Sequence, residues 1–142
     1  MFKAIVLALD GSETAKRGIP IAVELAKESK GKIVIAHVEE RMATKGRAPV
    51  EADEDEVQKE LQGLAKDLEG DGIETSIELG DVMAGGSGVA HAIADIAEKA
   101  NADLIVVGTR GHSPVEGLLV GSVTQRLLHI TKQPMLVVPV TD

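Results

Sequence analysis

The sequence predicts an α/β protein with a doubly wound, open, parallel five-stranded sheet, helices on both faces and the strand order 3-2-1-4-5. Two observations predict the parallel sheet and its covering helices: short runs rich in Val, Ile and Leu, and apolar helical stripes in the segments between them. Nearly unbroken apolar runs are typical of strands that are buried on both faces of a parallel sheet. Strict alternation of strand and helix requires right-handed crossovers, which cover the sheet on both sides.

Each predicted element follows from its own pattern. The strands are predicted at residues 4–9, 32–38, 74–79, 103–107 and 135–140. Three of the intervening segments carry apolar residues at the spacing i, i+4, i+7, i+8, i+11, beginning at Ala15, Val57 and Val89, and this spacing is a helical stripe. A shorter fourth helix is predicted over residues 121–131, because Pro134 prevents its continuation.

Two polar segments interrupt this pattern. Residues 40–56 are predicted to be a mobile loop that leads into an acidic helix start, because acidic side chains stabilise the positive end of a helix dipole. A cation site is the alternative for this segment. Residues 80–88 are rich in Gly and are predicted to be a loose connection, with a flexible lid as the alternative.

Length and composition limit the class of protein. The 142 residues, of which 44% are hydrophobic, predict a single domain over residues 1–142. The absence of Cys excludes disulfides and thiolate chemistry. The start resembles no signal peptide and no apolar run approaches about 20 residues, so we expect a cytoplasmic protein without membrane insertion. A formal net charge of −8 and a single aromatic residue argue against nucleic acid as a partner.

The strongest chemical signal follows the predicted fourth strand. Gly108 and Gly111 are followed, after nine residues, by Gly121 and Ser122, which gives the spacing G-x2-G-x9-G-S. Glycines let a ligand approach the backbone closely, and a helix start offers unpaired N–H groups to an anion. Arg110 adds a forked cation that suits phosphate. Because ligands bind at the carboxyl ends of strands in such sheets, this pattern predicts a phosphate site.

Other patterns narrow the chemistry. The lysine-containing loop G-x4-G-K-[ST] is absent, and residues 10–12 do not form the dinucleotide turn G-x-G-x-x-G. Asp10 follows the first strand, where its carboxylate either contacts a ribose or adenine amine or caps the helix that begins near Ser12. The His residues lack zinc-ligand spacing. We interpret His37 as a satisfied packing residue and His112 as a candidate phosphate contact.

The glycine spacing closely resembles the ATP-binding signature of the universal stress protein family, in its nucleotide-binding branch. Similar segments extend over nearly the whole chain, at residues 5–12, 37–38, 102–108 and 134–138. The resemblance implies an adenine pocket near Asp10 and Val38, with phosphates on the glycine loop and on the last helix. The predicted cofactor-binding residues are Ala8, Leu9, Asp10, Val38, Gly108, Thr109, Arg110, Gly111, His112, Gly121, Ser122, Val123 and Thr124.

The resemblance also implies the cofactor, the assembly and the activity. The cofactor is ATP, or ADP or AMP, with Mg or Mn held through its phosphates and not by protein side chains. The implied homodimer pairs strand 135–140 with its twofold mate, and a bare apolar edge strand favours such pairing. The implied role is a nucleotide-dependent stress-response switch. The alternative is a slow ATPase or autokinase, for which Arg110 and His112 are present without an obvious base, so no catalytic residue is assigned.

Overall fold

A computed structural model of the protein describes residues 1–41, 50–83, 88–108 and 121–139, with the backbone alone at 50–53. The strands are β1 Ala4–Ala8, β2 Lys32–Arg41, β3 Thr75–Met83, β4 Leu104–Gly108 and β5 Met135–Val138. The helices are α1 Gly18–Ser29, α2 Val50–Gly70, α3 Gly88–Lys99 and α4 Ser122–Ile130, with a short 3-10 turn, Ala15–Arg17, before α1. Among the described helices, none has the length and apolar character of a membrane span.

The sheet is parallel throughout and has the strand order β3-β2-β1-β4-β5, which confirms the predicted fold class. β1 lies at its centre and is buried on both faces. Ile5 and Leu7 pack into the core under α1 and α2, whereas Val6 packs into the core under α3 and α4. Because all three side chains are fully buried, β1 has no polar position, and its sequence is an unbroken apolar run.

The second and third strands are longer than the sequence predicted. β2 was expected to end at Val38 and continues to Arg41, while β3 continues to Met83. The two strands pair in register from Ile33 with Thr75 to Arg41 with Met83. The polar ends of β2 and β3 form strands because each supplies backbone hydrogen-bond partners to the other. The pattern of polar residues in the sequence does not reveal this pairing.

The two polar interruptions are therefore shorter than predicted. The expected loop at 40–56 contains the last two residues of β2 and the first turns of α2, which begins at Val50, so the acidic helix start is confirmed. The expected connection at 80–88 contains the end of β3 and the first residue of α3. Residues 42–49 and 84–87 lie outside the described part of the chain.

The other predicted boundaries differ by a few residues. The stripe that begins at Ala15 opens as the 3-10 turn and becomes α-helical at Gly18. A Cβ at Gly18 would lie 2.9 Å from Val106 Cγ1, so the glycine allows α1 to start directly against the sheet. β5 ends at Val138, before Pro139, which has no backbone N–H to donate. Val140, predicted as the last strand residue, lies outside the described residues.

Candidate functional site

The candidate site lies where β1 and β4 end side by side. The two strands are neighbours in the sheet, with Ile5 paired to Leu104 and Leu7 paired to Val106. The helices that follow them pack on opposite faces, α1 with the core around Ile5 and α4 with the core around Val6. This divergence opens a crevice beyond the carboxyl ends of the two strands, which is where doubly wound sheets bind ligands.

The turn after β1 is held by its own side chains. Asp10 Oδ1 accepts hydrogen bonds from the Ser12 backbone N–H, at 2.9 Å, and from the Ser12 hydroxyl. Ser12 Oγ in turn accepts the backbone N–H of Ala15, at 3.2 Å. Gly11 between them has a φ of +88°, a conformation that favours glycine. The oxygen at the helix start is therefore that of Ser12, and Asp10 supports the start through Ser12.

The side chain of His37 connects this turn to α2. Its ring is buried, with Nδ1 2.8 Å from the Leu9 carbonyl oxygen and Nε2 2.7 Å from Glu54 Oε1. A carbonyl only accepts, so Nδ1 carries a hydrogen. Both ring nitrogens have partners, which confirms the interpretation of His37 as a satisfied packing residue. Glu54 was missed because it lies 17 residues further along the chain, in a stretch whose acidity already had a local explanation.

Two further contacts join α2 to the same turn. A Cβ at Gly11 would lie 3.0 Å from Val57 Cγ2, so the glycine backbone is packed closely under the helix. Lys16 Nζ donates hydrogen bonds to the carboxylates of Glu60 and Glu13. The carboxylate of Glu60 raises the pKa of the Lys16 amine above its usual value, and that of Glu13 adds a smaller contribution.

The start of α4 forms the other wall of the crevice. The Thr124 hydroxyl is buried and donates to the Gly108 carbonyl oxygen at 2.7 Å, which joins the first turn of the helix to the end of β4. Gly121 has extended backbone, with φ −67° and ψ 160°. Within the described residues, no side chain caps this helix start. The first-turn N–H groups of any α-helix lack partners within the helix, and no described side-chain cap serves those of α4.

The structure brings together most of the predicted residues that it describes. Ala8, Leu9, Asp10 and Gly108 lie at the adjoining strand ends, and Val38 lies two residues beyond Ala36, the partner of Ala8. The remaining described members are the four residues of the α4 start: Gly121, Ser122, Val123 and Thr124. The predicted contacts Thr109, Arg110, Gly111 and His112 lie outside the described residues.

Two of these residues have internal roles that the sequence did not predict. Leu9 is buried in the core, its N–H donates to the Ala36 carbonyl oxygen and its own carbonyl accepts from His37. The hydrogen of the Thr124 hydroxyl is used on Gly108, so only the Thr124 backbone N–H is offered to a ligand. Both residues therefore hold the walls of the crevice in place through contacts inside the protein.

A sequence model of the universal stress protein family matches residues 1–139. This chain belongs to that family. It is 31% identical over 138 residues to a universal stress protein of Thermus aquaticus, covering 97% of this chain and 99% of the relative. It is 28% identical to the universal stress protein YxiE of Bacillus subtilis, with coverage of 97% and 99%. A crystal structure of a universal stress protein in complex with cAMP is 28% identical and has a TM-score of 0.67, covering 99% of this chain and 98% of the other.

Proposed function

We propose that this universal stress protein binds an adenine nucleotide, ATP or its relatives ADP and AMP, and acts as a nucleotide-dependent regulatory switch. The observation that carries the proposal is the start of α4. Its first turn is joined to the end of β4 by the bond from Thr124 to Gly108, and it lies beside the end of β1. A helix start that is fixed at a switch point and carries no described side-chain cap is a preformed anion site.

The phosphates are assigned to this helix start. The backbone N–H groups of Ser122, Val123 and Thr124 are the donors, and the helix dipole adds about half a positive charge at this end. That local field matters in a chain with a formal net charge of −8, which repels a polyphosphate elsewhere. The spacing G-x2-G-x9-G-S supplies further glycine backbone, and Arg110 supplies a cation. Mg or Mn would be held by the phosphates, where it would neutralise their charge.

The adenine and ribose are assigned to the β1 and β2 side of the crevice, near Ala8, Asp10 and Val38. Ala8 is half-buried and offers aliphatic surface to a base, whereas Val38 is buried and would line the pocket from within the core. Such surface has to suffice, because the chain has one Phe and neither Trp nor Tyr. The related crystal structure in complex with cAMP supports an adenine nucleotide as the class of ligand.

We infer binding without efficient turnover. Phosphoryl transfer requires a base or water-orienting residue and strong electrophilic support at the γ-phosphate. The sequence supplies Arg110 and His112 in the glycine loop and no obvious base beside them. A slow ATPase or autokinase at the same site is the alternative.

Calorimetric titration of nucleotide-free protein with ATP and AMP, with and without Mg, tests the proposal. We expect Gly121→Val to weaken ATP binding by at least about 100-fold, or about 2.7 kcal/mol, because the new side chain occupies the path of the phosphate. The φ of −67° suits any L-residue, so the variant should fold. Gly63→Val is the matched control, since a Cβ there meets nothing within 4 Å.

The outcomes separate the candidates. A wild type that is free of nucleotide and does not bind ATP would contradict the proposal, as would a Gly121→Val variant that binds like the wild type. ADP formation by the wild type above the level of Gly121→Val would favour the slow ATPase.

We also propose a homodimer through β5, which is an edge strand with three half-buried apolar residues, Met135, Leu136 and Val137. Ile105 N–H donates to the Pro134 carbonyl oxygen, so alternate residues of β5 face β4 and the N–H of Val137 faces the open edge. Val137→Pro removes that N–H and should convert a dimer to a monomer in sedimentation equilibrium, while Val137→Ala should remain dimeric. A monomeric wild type would refute the dimer.

A further inference from the structure

We propose that His37 and Glu54 are positioning residues through which the first half of α2 controls nucleotide affinity. The inference rests on the proposed nucleotide site and adds its regulation. The buried ring of His37 lies between the turn that carries Asp10 and α2, a helix that contributes no predicted nucleotide contact. The turn is therefore held in place by a helix from another part of the chain.

The ring of His37 has a position that suits this role. Its Nδ1–H donates to the carbonyl of Leu9, directly before Asp10, and its backbone continues into Val38. The residue thus adjoins both the turn and the strand end that are assigned to the adenine and ribose. The ring thus holds the carbonyl of the peptide between Leu9 and Asp10, while the Leu9 N–H, in the preceding peptide, is bonded to β2 through Ala36.

Glu54 fixes the orientation of that ring. With Nδ1 as a donor, Nε2 approaches Glu54 Oε1 at 2.7 Å, and one further proton must lie between the two atoms for a hydrogen bond to form. The pair is well shielded, since His37 is 4% exposed and Glu54 is 14% exposed. A hydrogen bond in such surroundings is strong, and loss of one partner leaves the other buried and unpaired.

The bond from Glu54 is one of three contacts that a single face of α2 makes with the turn. Glu54, Val57 and Glu60 are spaced by three residues, which places them along one side of the helix. Val57 packs against Gly11, and Glu60 pairs with Lys16. Three successive contacts along the first half of α2 therefore hold the helix against the turn. Displacement of the helix would release the turn.

Docking and nucleotide binding must then affect each other by the same factor. If ATP binds better when the turn is held, ATP also stabilises the docked helix, because coupling between two sites is reciprocal. Couplings of this kind typically change an affinity by about 5-fold to 150-fold. The degree to which α2 is docked on the turn would therefore depend on whether nucleotide is bound.

The test compares three variants by ATP titration and thermal melting. Glu54→Ala removes the partner of the His37 ring, and we expect it to weaken ATP binding by about 10-fold. Glu54→Gln keeps a side chain of the same size whose amide can donate to Nε2, so its affinity should stay within about 3-fold of the wild type. Glu56→Ala removes an exposed carboxylate from the same helix and should bind like the wild type.

Hydrogen exchange of the wild type supplies a readout that does not depend on the variants. ATP should slow amide exchange in residues 54–61, and Gly121→Val should abolish this slowing while leaving exchange without ATP unchanged. A wild type that binds ATP without this protection would overturn the inference and leave the proposed function standing. Equal losses in Glu54→Ala and Glu54→Gln, or no loss in Glu54→Ala, would overturn it as well. A wild type that does not bind ATP would overturn both proposals.

Discussion

The two walls of the crevice are built differently. The turn after β1 is closed on itself, because Asp10 bonds Ser12, Ser12 bonds Ala15, and α2 packs over the turn. The start of α4 is fixed at one point, where the Thr124 hydroxyl reaches Gly108, and no described side chain covers its first-turn donors. Within the described residues, the β1 wall is thus held by several side-chain hydrogen bonds, whereas the α4 wall has the one from Thr124.

The difference has an energetic meaning. The hydrogen bond from the Ala15 N–H to the Ser12 hydroxyl stabilises the turn after β1, and a typical hydrogen bond contributes about 1 kcal/mol. Near α4, no such contribution is present in the described residues, and a bound anion would supply it instead. We therefore expect nucleotide to stabilise the α4 wall more than the β1 wall.

The largest effect on this comparison is expected from Thr124→Val, which keeps the shape of the side chain and removes the described hydrogen bond between the start of α4 and the end of β4. The Gly108 carbonyl then loses the hydroxyl donor in a buried place, which should cost about 1–3 kcal/mol of unfolding free energy. Urea denaturation measures this cost. Thr124→Ser retains the hydroxyl and serves as the control. A Thr124→Val variant as stable as the wild type would show that the α4 start is held by contacts other than this bond.

The smallest effect is expected from Lys16→Gln, which removes the outermost contact between α2 and the turn. The hydrogen bonds that the Lys16 amine donates to Glu60 and Glu13 raise the pKa of Lys16 in the folded protein, so the protonated amine stabilises the fold. This contribution is fully present below the usual lysine pKa of the unfolded chain and is lost as pH rises through the higher folded-state pKa. Because both carboxylates are exposed, it should stay below about 1 kcal/mol.

Stability measured against pH checks the sign of this effect. The free energy of unfolding of the wild type should exceed that of Lys16→Gln by a constant amount around neutral pH. This difference should vanish in strongly alkaline solution. Lys27→Gln, at an exposed position on α1, is the matched control for loss of a lysine charge. A difference that grew with rising pH would contradict the assigned pKa direction.

The sequence was most informative where local pattern and burial coincide. β1 has three fully buried residues in succession, and a run of this kind has few alternatives to a central parallel strand. The start of α4 was predicted at Gly121 because glycine and two hydroxyl residues precede and open an apolar helical pattern, and the helix begins at Ser122. The position of the crevice followed from the order of these elements along the chain.

The amino-acid sequence by itself thus determined the fold class, because the class depends on the periodicity of strands and helices. It also predicted the strand order, which the structure confirms, and a ligand site at the ends of β1 and β4, which stays a prediction. Only the tertiary structure decided that β2 and β3 extend to Arg41 and Met83, since their polar ends are strands through pairing with each other. It also decided that Glu54 meets His37 and that the Thr124 hydroxyl is used inside the protein. Such contacts join residues that are far apart along the chain, and no local pattern specifies which of many polar side chains will become partners.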